Sequence, residues 1–489
     1  MKSLTSSEYK ELKRHGISSA RAEEQLRALK KGFSFAKLAR PATLNDGIWK
    51  LSPPEQKFAE QKFLELMHRK NILKFVPASG AASRMFQFLE DQDPKYGESK
   101  KKFLDNLPRL AFYDALARAA KRNGQDLKVL RKQKNLAAIA ALLLNSDGLG
   151  YRLEPKGGIL FHGKGKKART AFEEQLAEAV ELLGKSPSVH FTLPIPKRRE
   201  LRRFLKQTSK KYSAKIKLTD SVQEPATDHL ALEKNGRPVK DGAGHLLLRP
   251  SGHGALLGNL NQICADAIFV KNIDNILPRQ NRKEADRWKR ILGGVFFETQ
   301  FKVFEAQRIL KQSKMTPAEL LFVLKTAALL GAPRTALRDR HLLSLFLNRP
   351  LRICGMVPNS GEPGGGPFWV ESGRGASLQI IESAEVNLKN PGQNKIWQQS
   401  THFNPVDFIC GVCDHRGKKY NLHQFKDPSR GMIAEKNYSG RTIKVMELPG
   451  LWNGSMADWI TVFVEVPAST FAPVKTVLDL LRKEHQVEK

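Results

Sequence analysis

Along the first 70 residues apolar positions recur at helical spacing. Ala22, Leu26, Leu29 and Phe33 fall three or four apart, and Pro54 opens a second helical stretch to about Lys70. The pattern then changes. Ile72-Leu-Lys-Phe-Val76 reads as a short buried strand that runs directly into Pro77-Ala-Ser-Gly-Ala-Ala-Ser-Arg84. Residues 99–145 return to a helical pattern rich in Lys, Leu and Ala. Strand-like runs follow at Gly158–Phe161, Val189–Pro194, Lys215–Thr219, His245–Leu248 and Ala267–Lys271, with helical patterns at Thr170–Leu183 and Lys197–Tyr212 between several of them. Strands alternating with helices predict a mostly parallel α/β sheet.

A second helical block spans 282–347. Within it Thr316-Pro-Ala-Glu319 has the form of a capping box with Pro at the first helical position. Residues 352–467 are β-rich with turns, and a last helix is expected from Val474 to about Lys483. The organisation read from these patterns is a helical arm over 1–70 and one α/β domain over 71–489. That domain carries helical insertions at about 99–145 and 282–347.

Composition narrows the function classes. The chain has 489 residues, 40% hydrophobic and 27% charged, which suits a globular core. Lys and Arg exceed Asp and Glu by 33, a balance that favours polyanionic partners such as phosphorylated substrates or nucleic acid. The opening MKSLTSSEYKELKRHG lacks an apolar signal core, and the longest apolar run, Leu136 to Leu144, is far short of a membrane span. A cytoplasmic protein without membrane contact is expected. Four cysteines cannot frame a disulfide scaffold in a chain this long. The Cys410-Gly-Val-Cys413 pair, in a β-like run, reads as buried thiols.

Four strings carry candidate chemistry. In Ser79-Gly80-Ala81-Ala82-Ser83-Arg84, small residues between a strand and a helix let backbone N–H groups approach a phosphate, and the Arg adds a permanent charge; a plain tight turn would look the same. Gly158-Ile-Leu-Phe-His-Gly163-Lys164 fits the first seven positions of a P-loop. It continues with Gly165 instead of Ser or Thr, and its middle reads as strand, so it is set aside. Gly252-His253-Gly254 offers bare backbone to a flat base, and the later strand ends at Asp274, where a carboxylate suits Mg²⁺ or a helix cap. Lys475, in Ala-Pro-Val-Lys475-Thr476, is placed to neutralise polyphosphate or to be solvated.

Taken in order, these strings resemble the UDP-sugar pyrophosphorylase family, nucleotidyltransferases with a Rossmann-like nucleotide-diphosphosugar fold and a mixed central sheet. Ser79–Arg84 stands at the family's G-G-x-G-T-R loop, and Pro155-Lys156 at its Pro-Lys pair. Gly252-His253-Gly254 and Asn272-Ile273-Asp274-Asn275 match outright. Phe403-Asn404-Pro405-Val406-Asp407 stands at F-N-T-N-N, and Phe471-Ala-Pro473-Val474-Lys475-Thr476 with Asp479-Leu-Leu481 at R-F-x-P-V-K-T-T-x-D-L-L. The resemblance covers about 72–484. The chain also looks like a bacterial family of unknown function, DUF4301, that resembles a distant branch of this group. Ser79 and Ala82 replace two family glycines, Asp407 replaces an amide, and about 70 residues separate Arg84 from Pro155.

The resemblance implies a Mg²⁺-dependent transfer from an NTP, with UTP favoured, to a sugar-1-phosphate. Under it Arg84, Lys156 and Lys475 are catalytic, and Ser79, Gly80, Ala81, Ser83, Gly252, His253 and Gly254 hold the nucleotide. Asn404 and Glu382 contact the sugar, and Asp274 with Asp407 hold the metal. The alternatives are a nucleotide binder without activity and a basic nucleic-acid-binding protein. The latter rests on Lys197-Arg-Arg-Glu-Leu-Arg-Arg-Phe-Leu-Lys206, which also reads as an amphipathic helix. No zinc-finger spacing or RNP string accompanies it.

Overall fold

A computed structural model describes residues 4–359, 361, 364–373 and 375–487. The chain divides into two compact units, one of residues 1–71, 223–268 and 291–466, the other of 72–222, 269–290 and 467–489.

The first unit holds a mixed sheet. Its strands run Thr43–Leu44, Gly47–Trp49, Ile460–Glu465, Leu351–Pro358 and Asp407–Gly411 in spatial order. Leu351–Pro358 is parallel to Ile460–Glu465 but antiparallel to Asp407–Gly411. The strands flanking this centre are buried on nearly every residue, as a sheet covered on both faces requires. Two smaller antiparallel sheets accompany it. One joins Leu38–Pro41, Gly366–Ser372 and Gly375–Ile381; the other orders Leu248–Arg249, His229–Glu233, Arg441–Glu447 and Met432–Tyr438. The 282–347 block forms the helices Lys283–Ile309, Pro317–Leu329 and Arg340–Leu347, and Thr316 caps the second through both bonds of the expected capping box.

In the second unit Ile72–Pro77, Ser188–Thr192 and Lys217–Ser221 lie parallel and adjacent, with Ala267–Lys271 next to Ile72–Pro77. The 99–145 block is helical throughout most of its length, from Gly97–Asn106 to Leu136–Leu144. Phe103, Leu107, Leu116, Leu130 and Leu143 bury into one core with Phe86, Phe172, Ile276 and Val474. The insertion is thus built into the hydrophobic core of this unit. The expected helix at Lys197–Tyr212 is Arg198–Ser209. Leu201 and Leu205 are buried, and Arg198 and Arg202 both pair with Asp220.

Several expectations are corrected. Residues 1–70 are not all helical: after Ser6–Arg14 and Ser19–Lys31 the chain forms three short strands between Leu38 and Trp49, before the helix Pro53–Leu66. These strands are held by distant partners, Ile48 pairing with Phe463 and Leu38 with Val370. His245–Leu248 is not one continuous strand; Leu246 makes an isolated bridge with Lys240, and the strand Leu248–Arg249 pairs with His229 and Leu230. Gly158–Phe161 begins with a 3₁₀ turn at Lys156–Gly158, and the strand is Leu160–His162. Among the described residues no α-helix closes the chain. Val477–Leu481 and Lys483–His485 are 3₁₀ turns, the first capped by Thr476 and Asp479. Cys410 is buried as expected, but Cys413 is only half-buried.

Candidate functional site

In the second unit the strand Ile72–Pro77 delivers the loop Ser79–Ser83, and the helix Ser83–Glu90 starts directly after it. Gly80, Ala81, Ser83 and Arg84 are exposed, and no atom would meet a Cβ added at Gly80 within 4 Å. The side chain of Ala82 cannot cap that helix, so its first N–H groups face outward without a side-chain acceptor. Among the described residues no ion pair or hydrogen bond engages the Arg84 guanidinium.

The 70-residue excursion returns to this loop. Ala81 forms a bridge with Pro155, Ala82 N–H donates to the Glu154 carbonyl at 2.9 Å, and Lys156 N–H donates to the Gly80 carbonyl at 3.1 Å. Lys156 is thereby held beside the loop. Its Nζ donates to Asp274 Oδ2 at 2.5 Å and to the Val474 carbonyl at 3.1 Å. Asn275 bridges Pro473, and Val474 N–H donates to the Asp274 carbonyl at 3.1 Å. Lys475 follows with an exposed side chain, its N–H donating to Asp479 at 2.9 Å. Four strings far apart in sequence thus meet: the Gly80 loop, Pro155-Lys156, Asp274 and Pro473–Lys475. Sequence reasoning missed Lys197, which pairs with Glu154 at the edge of the loop. Its one signal was a Lys immediately after a strand and a Pro-rich turn.

In the first unit the Gly252-His253-Gly254 turn follows Leu248–Arg249 and packs on the segment after the strand Arg441–Glu447. A Cβ at Gly254 would lie 2.3 Å from the Pro449 carbonyl, and one at Gly450 would lie 2.5 Å from the His253 ring. Gly252 has φ +71, which a side-chain-bearing residue adopts only under strain. His253 stacks on Trp452 with ring centroids 4.0 Å apart and 14° between planes, and its Nδ1 accepts from Leu451 N–H at 2.9 Å. Burial lowers its pKa to about 4, so the ring is neutral near pH 7.

Glu382 ends the strand Gly375–Ile381 and places Oε1 3.9 Å from His253 Nε2. Burial, with Glu385 and Glu447 adding repulsion, lifts its pKa to about 7. Asn404 is close by along the chain of contacts: its N–H donates to the Gly365 carbonyl at 2.7 Å, and a Cβ at Gly365 would lie 3.3 Å from Glu382 Cγ. Asn404 is 4% exposed, its Oδ1 accepts from Val406 N–H, and its Nδ2 has no partner among the described residues. That buried amide is an unfilled donor. Val406 holds φ 55, unusual for a β-branched residue, and Asp407 begins a central strand, 8% exposed. Glu447 and Trp452 were not singled out in the sequence. The Gly450-Leu-Trp-Asn-Gly454 turn was the available signal for Trp452.

Asp274 and Asp407 belong to different units. Among the described residues no three His, Cys, Asp or Glu side chains gather as a metal site. Mg²⁺ needs only one or two carboxylates when phosphates and water complete its shell. The strand ends at Lys271, before the expected Asp274, which lies half-buried in the turn that follows; that carboxylate fits the sparse donor set, with Lys156 as its present counter-charge.

The domain of unknown function DUF4301 matches residues 5–486. The chain belongs to the DUF4301 family. No curated protein matches it. Among solved structures it is similar to the uridine diphosphate N-acetylglucosamine pyrophosphorylase of Trypanosoma brucei at 12% identity, covering 98% of this chain and 79% of that one, with a TM-score of 0.51. It is also similar to UDP-glucose pyrophosphorylase of Leishmania major at 12% identity, with the same coverage and a TM-score of 0.44. At such identity the likeness is one of fold, and this DUF4301 chain shares the mixed α/β architecture of the trypanosomal protein. No helix among its described residues is long and apolar enough to cross a membrane.

Proposed function

We propose that this DUF4301 protein transfers a nucleotidyl group from an NTP, UTP in the first instance, to a sugar-1-phosphate. The observation that carries the reading is the placing of Lys156, whose backbone N–H donates to the Gly80 carbonyl while its Nζ meets Asp274. A carboxylate in the turn after a strand, a half-buried ammonium, an unpaired Arg84 and backbone N–H groups at an uncapped helix start suit a polyphosphate. The pyrophosphorylase resemblance supplies the reaction class.

In this reading a phosphate oxygen of the sugar-1-phosphate attacks the α-phosphorus in line. The α-phosphorus to bridging-oxygen bond breaks, and pyrophosphate leaves with the electron pair. Asp274 would hold Mg²⁺, which when bound offsets phosphate charge. Lys156 turns from Asp274 to the attacking phosphate and orients it. Arg84 and Lys475 stabilise the charge that grows on the departing pyrophosphate, so the protein's work is positioning and electrostatics. Ser79, Gly80, Ala81 and Ser83 line the triphosphate. Within the first unit, the resemblance assigns the Gly252–Gly254 backbone, beside the neutral His253, to a base, and Asn404 with Glu382 to sugar hydroxyls.

The test is a pyrophosphate-release screen of the four NTPs against sugar-1-phosphates with Mg²⁺. Release that requires both substrates supports the reading. Ser79 and Ala82, in place of family glycines, favour a second one, a nucleotide binder without turnover. Calorimetric UTP binding with no release from any pair would replace the first reading with the second.

A further inference from the structure

The set-aside P-loop-like string has a different use. In the second unit its end, Gly163-Lys164-Gly165-Lys166-Lys167, forms the rim of a cavity of about 870 Å³. The turn is tightly specified. Gly163 has φ +81, and a Cβ there would lie 2.4 Å from the Lys167 carbonyl. Seven of the cavity's lining side chains are cationic and two, Glu173 and Glu174, are acidic. Both acids are already engaged, Glu173 by Lys211 and its own helix cap, Glu174 by Arg282. Among the described residues no ion pair neutralises Lys164, Lys166, Lys167 or Arg169.

A second observation is independent of this charge. His162 and His485, each 2% exposed, also line the cavity. Their rings stack 5.2 Å apart and share one hydrogen bond, His162 Nε2 to His485 Nδ1 at 2.9 Å. Of the outer nitrogens, His162 Nδ1 lies 3.4 Å from Glu174 Oε1, which ties the imidazole pair to the Glu174–Arg282 ion pair.

We propose that this cavity binds a small molecule carrying two or more phosphate groups, at a site distinct from the residues assigned to nucleotidyl transfer. Four unneutralised cations within six residues exceed what one phosphate engages, and the buried imidazole pair gives the cavity a fixed wall beside them. The concave shape suits a metabolite-sized ligand. A nucleic-acid strand would need an extended basic track with stacking aromatics.

The experiment titrates inorganic tripolyphosphate into the full chain by calorimetry, without Mg²⁺, in an Arg84→Ala/Lys475→Ala background that weakens any binding at the transfer residues. Binding is expected to persist there and to weaken roughly tenfold or more on adding Lys166→Ala/Lys167→Ala. These two side chains are exposed, so folding is retained. His162→Gln, checked for folding by circular dichroism, is expected to weaken it further; should that variant fail to fold, the lysine pair decides. Unchanged affinity in the lysine variant overturns the proposal. So does a single-stranded RNA of about 20 nucleotides that binds through the same lysines more tightly than tripolyphosphate, since that marks a nucleic-acid surface. The readout does not depend on nucleotidyl transfer, and each reading can fail alone.

Discussion

Lys156 Nζ sits 2.5 Å from Asp274 Oδ2 although 118 residues separate them in the chain. The contact joins the two residues to which the proposed reaction gives the attacking phosphate and the metal. Each side chain is about one-fifth exposed, which leaves the pair open to exchange with a charged substrate. In the proposed reaction the sugar-1-phosphate would draw the Lys156 ammonium away, leaving the Asp274 carboxylate to hold the metal.

Asp274→Asn keeps the shape of the side chain and removes the charge. Pyrophosphate release is expected to fall roughly 10²-fold or more, with the urea midpoint close to wild type. Near-normal Mg²⁺-dependent release in this variant would rule out Asp274 as the ligand.

Arg84 is exposed and unpaired among the described residues. Arg84→Ala should therefore change stability by less than about 0.5 kcal/mol while lowering kcat roughly 10²-fold. Lys475→Ala should lower kcat by a similar factor. A change confined to KM would reduce either residue to a binding role.

Glu382 sets a pH dependence. Its carboxyl rises from 4.5 to about 7 through burial, then Glu385 and Glu447. A carboxyl that holds its proton more tightly when folded favours the fold at acid pH; this contribution is complete below 4.5 and is lost as pH rises through about 7. Glu382→Gln should match wild type in urea midpoint near pH 4 and exceed it near pH 8. A difference that does not vary with pH would contradict this.

Glu178 meets Lys74 at 2.7 Å, Lys271 at 2.8 Å and Lys289 at 3.0 Å, with all four side chains buried. Burial lowers the Lys74 pKa to about 8, and the lysines hold Glu178 well below the ordinary carboxylate range. Glu178→Gln strips three buried ammonium groups of their shared counter-charge, at an expected cost of about 3–5 kcal/mol in denaturant unfolding. A loss under about 1 kcal/mol would mean that the lysines shed their protons instead.

The sequence by itself determined the alternation of helices and strands, the two helical blocks, the Thr316 capping box and the order of the nucleotidyltransferase-like strings. Each is written in residues a few positions apart, where side-chain period and capping chemistry act. Tertiary structure decided the rest. The strands Leu38–Pro41 and Gly47–Trp49 are too short to hold alone and exist because Val370 and Phe463 lie across from them. The C-terminal segment shows helical spacing, yet Asn275 bridges Pro473 and Thr476 then caps a single 3₁₀ turn, so the backbone follows its partners over its periodicity. Lys156 reaches Asp274 only after the 70-residue excursion closes at Ala81 and Pro155. His162 and His485 stack although no local pattern links them. Contacts between distant segments depend on how the chain returns on itself, and that return is set by burying a shared core, which no short stretch of sequence contains.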